Sequence, residues 1–147
     1  MKHMLKTNKS LIVEIVSCLC ILLFVYAATS KLLDFQKFSD QIGQSPILTA
    51  FKNWVVIGIP ALEYVISLLL LFRTSRLIAL YASFGLMVIF STYIYVITRF
   101  SEYVPCSCGG ILEKMNWDQH LIFNIAFLLI VIVGIMVYPF GDKLDKV

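Results

Sequence analysis

Residues 77–97 read LIALYASFGLMVIFSTYIYVI, an apolar run with no charged side chain, bracketed by Arg76 and Arg99. A helix needs about 20 such residues to cross a hydrocarbon core, because each adds about 1.5 Å. The run is too long for a strand and carries no charged face for water. It predicts a transmembrane helix.

Working outward, three more stretches have the same character: about 11–29, 54–72 and 121–140. Trp54, Tyr93, Tyr95, Tyr103, Trp117 and Tyr138 cluster at or near the ends of the runs, as interfacial aromatics do. The composition agrees. The chain has 147 residues, of which 60% are hydrophobic and only 14% charged, and its mean hydropathy is +0.89. A soluble domain of this size has too few charges here to cover its surface, whereas lipid tails solvate an apolar exterior. The expected fold is all-α: a four-helix transmembrane bundle forming a single domain over 1–147. A net charge of +3 with scattered basic residues gives no footprint for nucleic acid.

The basic residues set the expected orientation. With the N-terminus in the cytoplasm, the inner segments hold seven Lys or Arg and the outer segments five, and the tight Arg73-Thr74-Ser75-Arg76 turn lies inside. Both termini are then cytoplasmic and the 98–120 loop is periplasmic, if the membrane is a bacterial inner membrane. A secretory leader with a cleavage site at Val25-Tyr26-Ala27 is the competing reading of the N-terminus. Glu14 interrupts its apolar region and further membrane segments follow, so the segment is expected to be retained. Between the first two spans, residues 31–53 carry Leu32, Phe35, Phe38 and Ile42 at helical spacing with charges between them. That pattern predicts a short interfacial helix ended by Gly43 and Ser45-Pro46.

The distinctive chemistry is Pro105-Cys106-Ser107-Cys108-Gly109-Gly110, just before the fourth span. Disulfide exchange needs an accessible thiolate, and the glycines allow a tight turn and close approach of another chain. Three readings of Cys106 and Cys108 stay open: an exchanging redox pair, a static bridge, or part of a copper(I) site with Met115 and His120. Trp117, His120 and Asn124 follow at spacing i, i+3, i+7, which places them on one helix face. His120 is the candidate to tune a thiolate, and Trp117 and Asn124 are the candidate cofactor-contacting residues.

Glu63 follows Pro60 inside the second span, nine residues from Trp54, or roughly 13 Å below the surface. A carboxyl group there must be paired, protonated or turned inward, and Lys31, Tyr64 and the His120 face are the candidate partners. Glu63 is a candidate proton relay or quinone contact, with a structural polar contact as the alternative. Glu14, near the inner end, has no expected role. Cys18 and Cys20 point to different sides of the first helix and cannot bridge each other.

These residues resemble the MauE/DoxX-like family of redox-associated bacterial membrane proteins over nearly the whole chain. The resemblance rests on Ser30-Lys31-Leu32 with Asp34, Phe35 and Phe38, on Pro60-Ala61-Leu62-Glu63, and on Cys106-Ser107-Cys108-Gly109-Gly110 with Trp117, His120 and Asn124. It implies a four-helix bundle that works with a thioredoxin-like partner outside the cytoplasm. MauE proteins are associated with maturation of the disulfide-rich subunit of methylamine dehydrogenase, and DoxX-like relatives include a subunit of a thiosulfate:quinone oxidoreductase. In MauE an aromatic commonly follows the second cysteine, whereas Gly109 stands here. The redox role is therefore carried over and the methylamine dehydrogenase client is not.

The resulting expectation is a thiol–disulfide redox protein that exchanges electrons between a periplasmic thioredoxin-like partner and a membrane acceptor or donor. Cys106, Cys108, His120 and Glu63 would carry the chemistry. No nucleotide or haem-attachment motif predicts a tightly bound cofactor, but a diffusing quinone needs no motif. Copper(I) handling and a non-catalytic assembly role with a structural loop disulfide are the alternatives. The sequence sets neither the direction of electron flow nor the oligomeric state.

Overall fold

The computed structural model describes residues 2–45, 48–100 and 116–138, and side chains from residue 8 onward. All secondary structure among the described residues is helical: α1 (Lys2–Leu33), α2 (Phe35–Gln44), a 3-10 turn (Thr49–Phe51), α3 (Lys52–Leu71), α4 (Arg76–Phe100) and α5 (Trp117–Val137). Four of these helices contain spans long and apolar enough to cross a membrane: Asn8–Leu33, Thr49–Leu71, Arg76–Phe100 and Trp117–Val137.

The four long helices close a ring in which α1 packs on α3, α3 on α4, α4 on α5 and α5 on α1. Neighbours run antiparallel. The start of α1 meets the end of α5 at Val16 and Gly134, and Glu14 meets the α3–α4 turn through Arg73. The main core lies along the bundle axis, with Cys20, Phe24, Ile66, Leu70, Leu80 and Val131 buried. The outside is equally apolar: Met136 is 77% exposed, Ile78 68% and Leu22 63%. Such side chains on every long helix are what a lipid solvent requires, because neither helix packing nor water covers them.

Three buried serines are satisfied locally, whereas the buried Ser91 hydroxyl has no partner among the described residues. Ser17, Ser67 and Ser83 each donate to the carbonyl four residues earlier, at 2.7–2.8 Å, so their hydroxyls are satisfied within their own helices.

Boundaries follow local chemistry. α1 continues four residues beyond the expected end at 29, because Ser30-Lys31-Leu32-Leu33 contains no breaker. It stops where Asp34 leaves helical geometry, at φ −108° and ψ 45°. The expected interfacial helix is α2, but its phase starts after that break. Phe38 and Ile42 are buried, while Leu32 and Phe35 stay exposed. Ser45 is extended, as a residue before proline must be.

α3 ends in the turn 72–75. There Ser75 Oγ donates to the Leu69 carbonyl at 2.8 Å, and Arg76 Nε donates to the Leu70 carbonyl at 3.2 Å. Both cover carbonyls that the helix end leaves open. α5 begins at Trp117 rather than 121. Asn116 and Gln119 form a capping box, with Asn116 Oδ1 accepting from the Trp117 N–H at 2.8 Å and the Asn116 N–H donating to Gln119 Oε1 at 3.1 Å.

α1 runs unbroken through Val25-Tyr26-Ala27 and supplies Val13, Val16, Cys20 and Phe24 to the core. Cleavage there would strip the bundle of one wall. Cys18 is exposed and Cys20 buried, on different sides of the helix as expected. Glu14 does have a structural part: it accepts from Arg73 at 2.8 Å and lies 3.9 Å from Arg76, tying α1 to the α3–α4 turn.

Gly134 permits the close α1–α5 contact, because a Cβ there would lie 2.8 Å from Val16 Cγ1. Gly134→Leu should therefore lower stability by about 1–3 kcal/mol through overpacking. Val16→Ala in the same chain should recover part of the loss. Unfolding midpoints in detergent micelles check this, and equal midpoints for Gly134→Leu and the parent chain would refute the contact.

Candidate functional site

Glu63 is completely buried, and one of the three expected partners claims it. Lys31 Nζ donates to Glu63 Oε1 at 2.6 Å and forms an ion pair with it. Tyr64 instead shares a 2.7 Å hydrogen bond between its hydroxyl and Thr29 Oγ1, two residues before Lys31 in α1. Two polar ties thus fasten α1 to α3 at the same level.

The Lys31 ammonium is the meeting point of the helices. It comes from α1, pairs with α3, and lies 6.0 Å from the ring centre of Phe38 on α2 and 5.5 Å from that of Phe90 on α4. Those distances suit attraction between a cation and the faces of the rings. A weaker 3.5 Å contact runs to the Ala27 carbonyl. On α5, His120 stands at the same end of the bundle, in the first turn of that helix. The antiparallel register explains this. Fifteen residues along α1 from Val16 lead to Lys31, and fourteen back along α5 from Gly134 lead to His120.

α2 lies across this end of the bundle. Phe38 and Ile42 pack on Val56, with Leu48 and Val55 alongside, in a small cluster separate from the main core. The far end of α2 is fastened to α4, where the Tyr93 hydroxyl donates to Ser45 Oγ at 3.1 Å. The Lys31 side chain keeps 15% of its surface exposed and Glu63 none, so the ammonium is the open side of the pair. Glu63 Oε2 is buried with no hydrogen-bond partner among the described residues.

The capping box decides where the other candidates stand. With α5 starting at Trp117, His120 falls in its first turn and stacks on Trp117, with ring centres 6.4 Å apart and planes 28° from parallel. Asn124 lies one turn deeper and is buried, so the expected face of Trp117, His120 and Asn124 leads from the bundle end into its interior. Cys106 and Cys108 lie outside the described residues, as does Met115. The residue that sequence reasoning undervalued is Lys31, which appeared only as one possible partner. Its signal was present: a basic residue at the end of an apolar span, facing an otherwise uncompensated Glu63.

A family model described as "Methylamine utilisation protein MauE" matches residues 9–137. The chain belongs to the MauE family. The match takes in all four spans, α2 and the Lys31–Glu63 pair, and it also runs through the Cys106/Cys108 segment. No match was found among curated proteins or among solved structures.

A buried pair is damaged more by losing one partner than by losing both, because the survivor is left uncompensated. Lys31→Met or Glu63→Leu alone should each destabilise this MauE-family bundle by about 3–5 kcal/mol. The double variant should regain most of that loss. Unfolding midpoints of the three variants in micelles test this, and simple additivity of the two losses would show that the pair is not coupled.

Proposed function

We propose that this protein is an inner-membrane thiol–disulfide exchanger, passing electrons between a periplasmic thioredoxin-like partner and a quinone or other membrane carrier. The observation that carries this reading is the placement of His120. It stands in the first turn of a capped helix, twelve residues after Cys108 in the chain, at the same end of the bundle as the buried Lys31–Glu63 pair. An imidazole at a helix start, close in sequence to two thiols, suits proton exchange with a cysteine. The family description, a protein of methylamine utilisation, is compatible with a role in maturing a disulfide-rich enzyme, without making that enzyme the client.

In the exchange, one thiolate of Cys106 or Cys108 attacks a disulfide of the partner. A mixed disulfide forms and the partner's leaving sulfur takes up a proton. The second cysteine then attacks the mixed bond, which closes the Cys106–Cys108 disulfide and releases the partner reduced. Run in reverse, the same steps oxidise the partner. The charge bias of the loops supports a periplasmic position for the pair, where an oxidised state persists.

The test is a redox titration of Cys106 and Cys108 in native membranes, with free thiols trapped by a mass-tagged alkylator. A reversible transition well above about −300 mV is expected for an exchanging pair. A bridge that stays closed below that value would make the disulfide structural and the protein an assembly subunit. Thiols released for alkylation only by a chelator would make it a metal site. In the exchanging case, Cys106→Ser and Cys108→Ser together should abolish any mixed disulfide with the partner.

A further inference from the structure

We propose that Lys31 and Glu63, flanked by Phe38 and Phe90, form the head-group site for a membrane-borne quinone and its quinol. The inference starts from what the pair leaves unused. Glu63 Oε1 is taken by Lys31, but Oε2 is buried with no donor among the described residues. The ammonium carries three N–H bonds; one goes to Glu63 and one, at 3.5 Å, to Ala27. Among the described residues the pair therefore keeps one acceptor and one donor in reserve, beside two phenyl rings. A buried carboxylate oxygen without a donor is costly, and a bound donor relieves that cost.

The chemistry narrows the occupant. An anion such as a lipid phosphate would meet Glu63, and a metal cation would meet Lys31. A neutral, flat ring with oxygen at its edge meets neither objection. A quinone carbonyl accepts from Lys31 Nζ, and a quinol hydroxyl donates to Glu63 Oε2, so one site serves both oxidation states. The phenyl rings of Phe38 and Phe90 supply apolar and edge contacts to such a ring. Access also fits. The site lies at one end of an otherwise apolar bundle, and its cover is α2, which rests on a small cluster apart from the main core. Lys31 keeps 15% of its side chain exposed while Glu63 is fully buried, so a head group reaches the pair from the ammonium side.

The redox role of this site rests on the exchange reading above. When the exchange runs so as to oxidise the partner, Cys106 and Cys108 are left as thiols; reclosing their disulfide then releases two electrons and two protons, and a quinone takes up both to become the quinol. Binding of the head group does not depend on that reading and is measured separately.

The experiment uses the purified full chain in detergent micelles with decylubiquinone as the probe. An azidoquinone serves as a photo-crosslinker, and labelled peptides are read by mass spectrometry. Saturable labelling within α1, α2, α3 or α4 close to Lys31, Phe38, Glu63 or Phe90, displaced by decylubiquinone, is expected. The Lys31→Met/Glu63→Leu double variant removes both polar handles together, and its affinity should fall about tenfold or more. Phe90→Leu, which leaves the ion pair in place, should weaken binding to a smaller degree and guards against a folding defect in the double variant. Cys106→Ser/Cys108→Ser should bind like the parent chain. Unchanged affinity in both the double variant and Phe90→Leu, or labelling spread evenly over the lipid-facing surface, would overturn the proposal. If the cysteines prove inert while the double variant loses binding, the site stands and the exchange reading falls.

Discussion

A carboxylate inside a bilayer has no water to hydrate it, and that constraint organises one end of this molecule. Glu63 is wholly buried, so a cation must reach it. Lys31 does so from the last turn of α1, with its charge at the more open side of the pair. Once Lys31 is committed to α3, α1 and α3 are held in register there, with Thr29 and Tyr64 adding a second tie. α2, leaving α1 just after Lys31, is brought over the pair and places Phe38 beside the ammonium. Phe90 approaches from α4, so α1, α2, α3 and α4 all contribute to the surroundings of Lys31, and His120 stands at the same end of α5.

The rest of the bundle is held differently. Lipid is as apolar as leucine, so burying side chains between helices gains little over leaving them in the bilayer. Close packing and polar ties carry the association. The Val16–Gly134 contact lets α1 and α5 approach closely, and the Glu14–Arg73 and Glu14–Arg76 contacts tie α1 to the α3–α4 turn at the end opposite α2. The two ends thus differ in character. One is held by exposed charges and a tight turn. The other is covered by an amphipathic helix over a buried ion pair, one oxygen of which has no partner among the described residues.

Much of this was legible in the residues. Length and lack of charge identified four spans, because the thickness of the hydrocarbon core sets the required run. Helical spacing of Phe38 and Ile42 with a Ser45-Pro46 stop identified α2. The misses were at edges. α1 outruns its apolar stretch since Ser30 and Lys31 are compatible with helix, and hydropathy alone does not see that. α5 starts early because Asn116-x-x-Gln119 is a capping box, a signal in polar residues that an apolar count passes over. Glu14 looked inert because its partners, Arg73 and Arg76, are distant in sequence.

The sequence by itself determined that the chain crosses a membrane four times, that Glu63 needs a partner, and that Cys106 and Cys108 precede a helix carrying Trp117, His120 and Asn124. These follow from local properties: the transfer cost of each side chain and the period of the helix. It could not choose among Lys31, Tyr64 and the His120 face as the partner of Glu63. That choice depends on how far each antiparallel helix is shifted along its neighbour, and the shift is set jointly by contacts between residues far apart in the chain. Only the tertiary structure decided that Lys31 takes Glu63, that Tyr64 turns to Thr29, and that α2 lies over the pair.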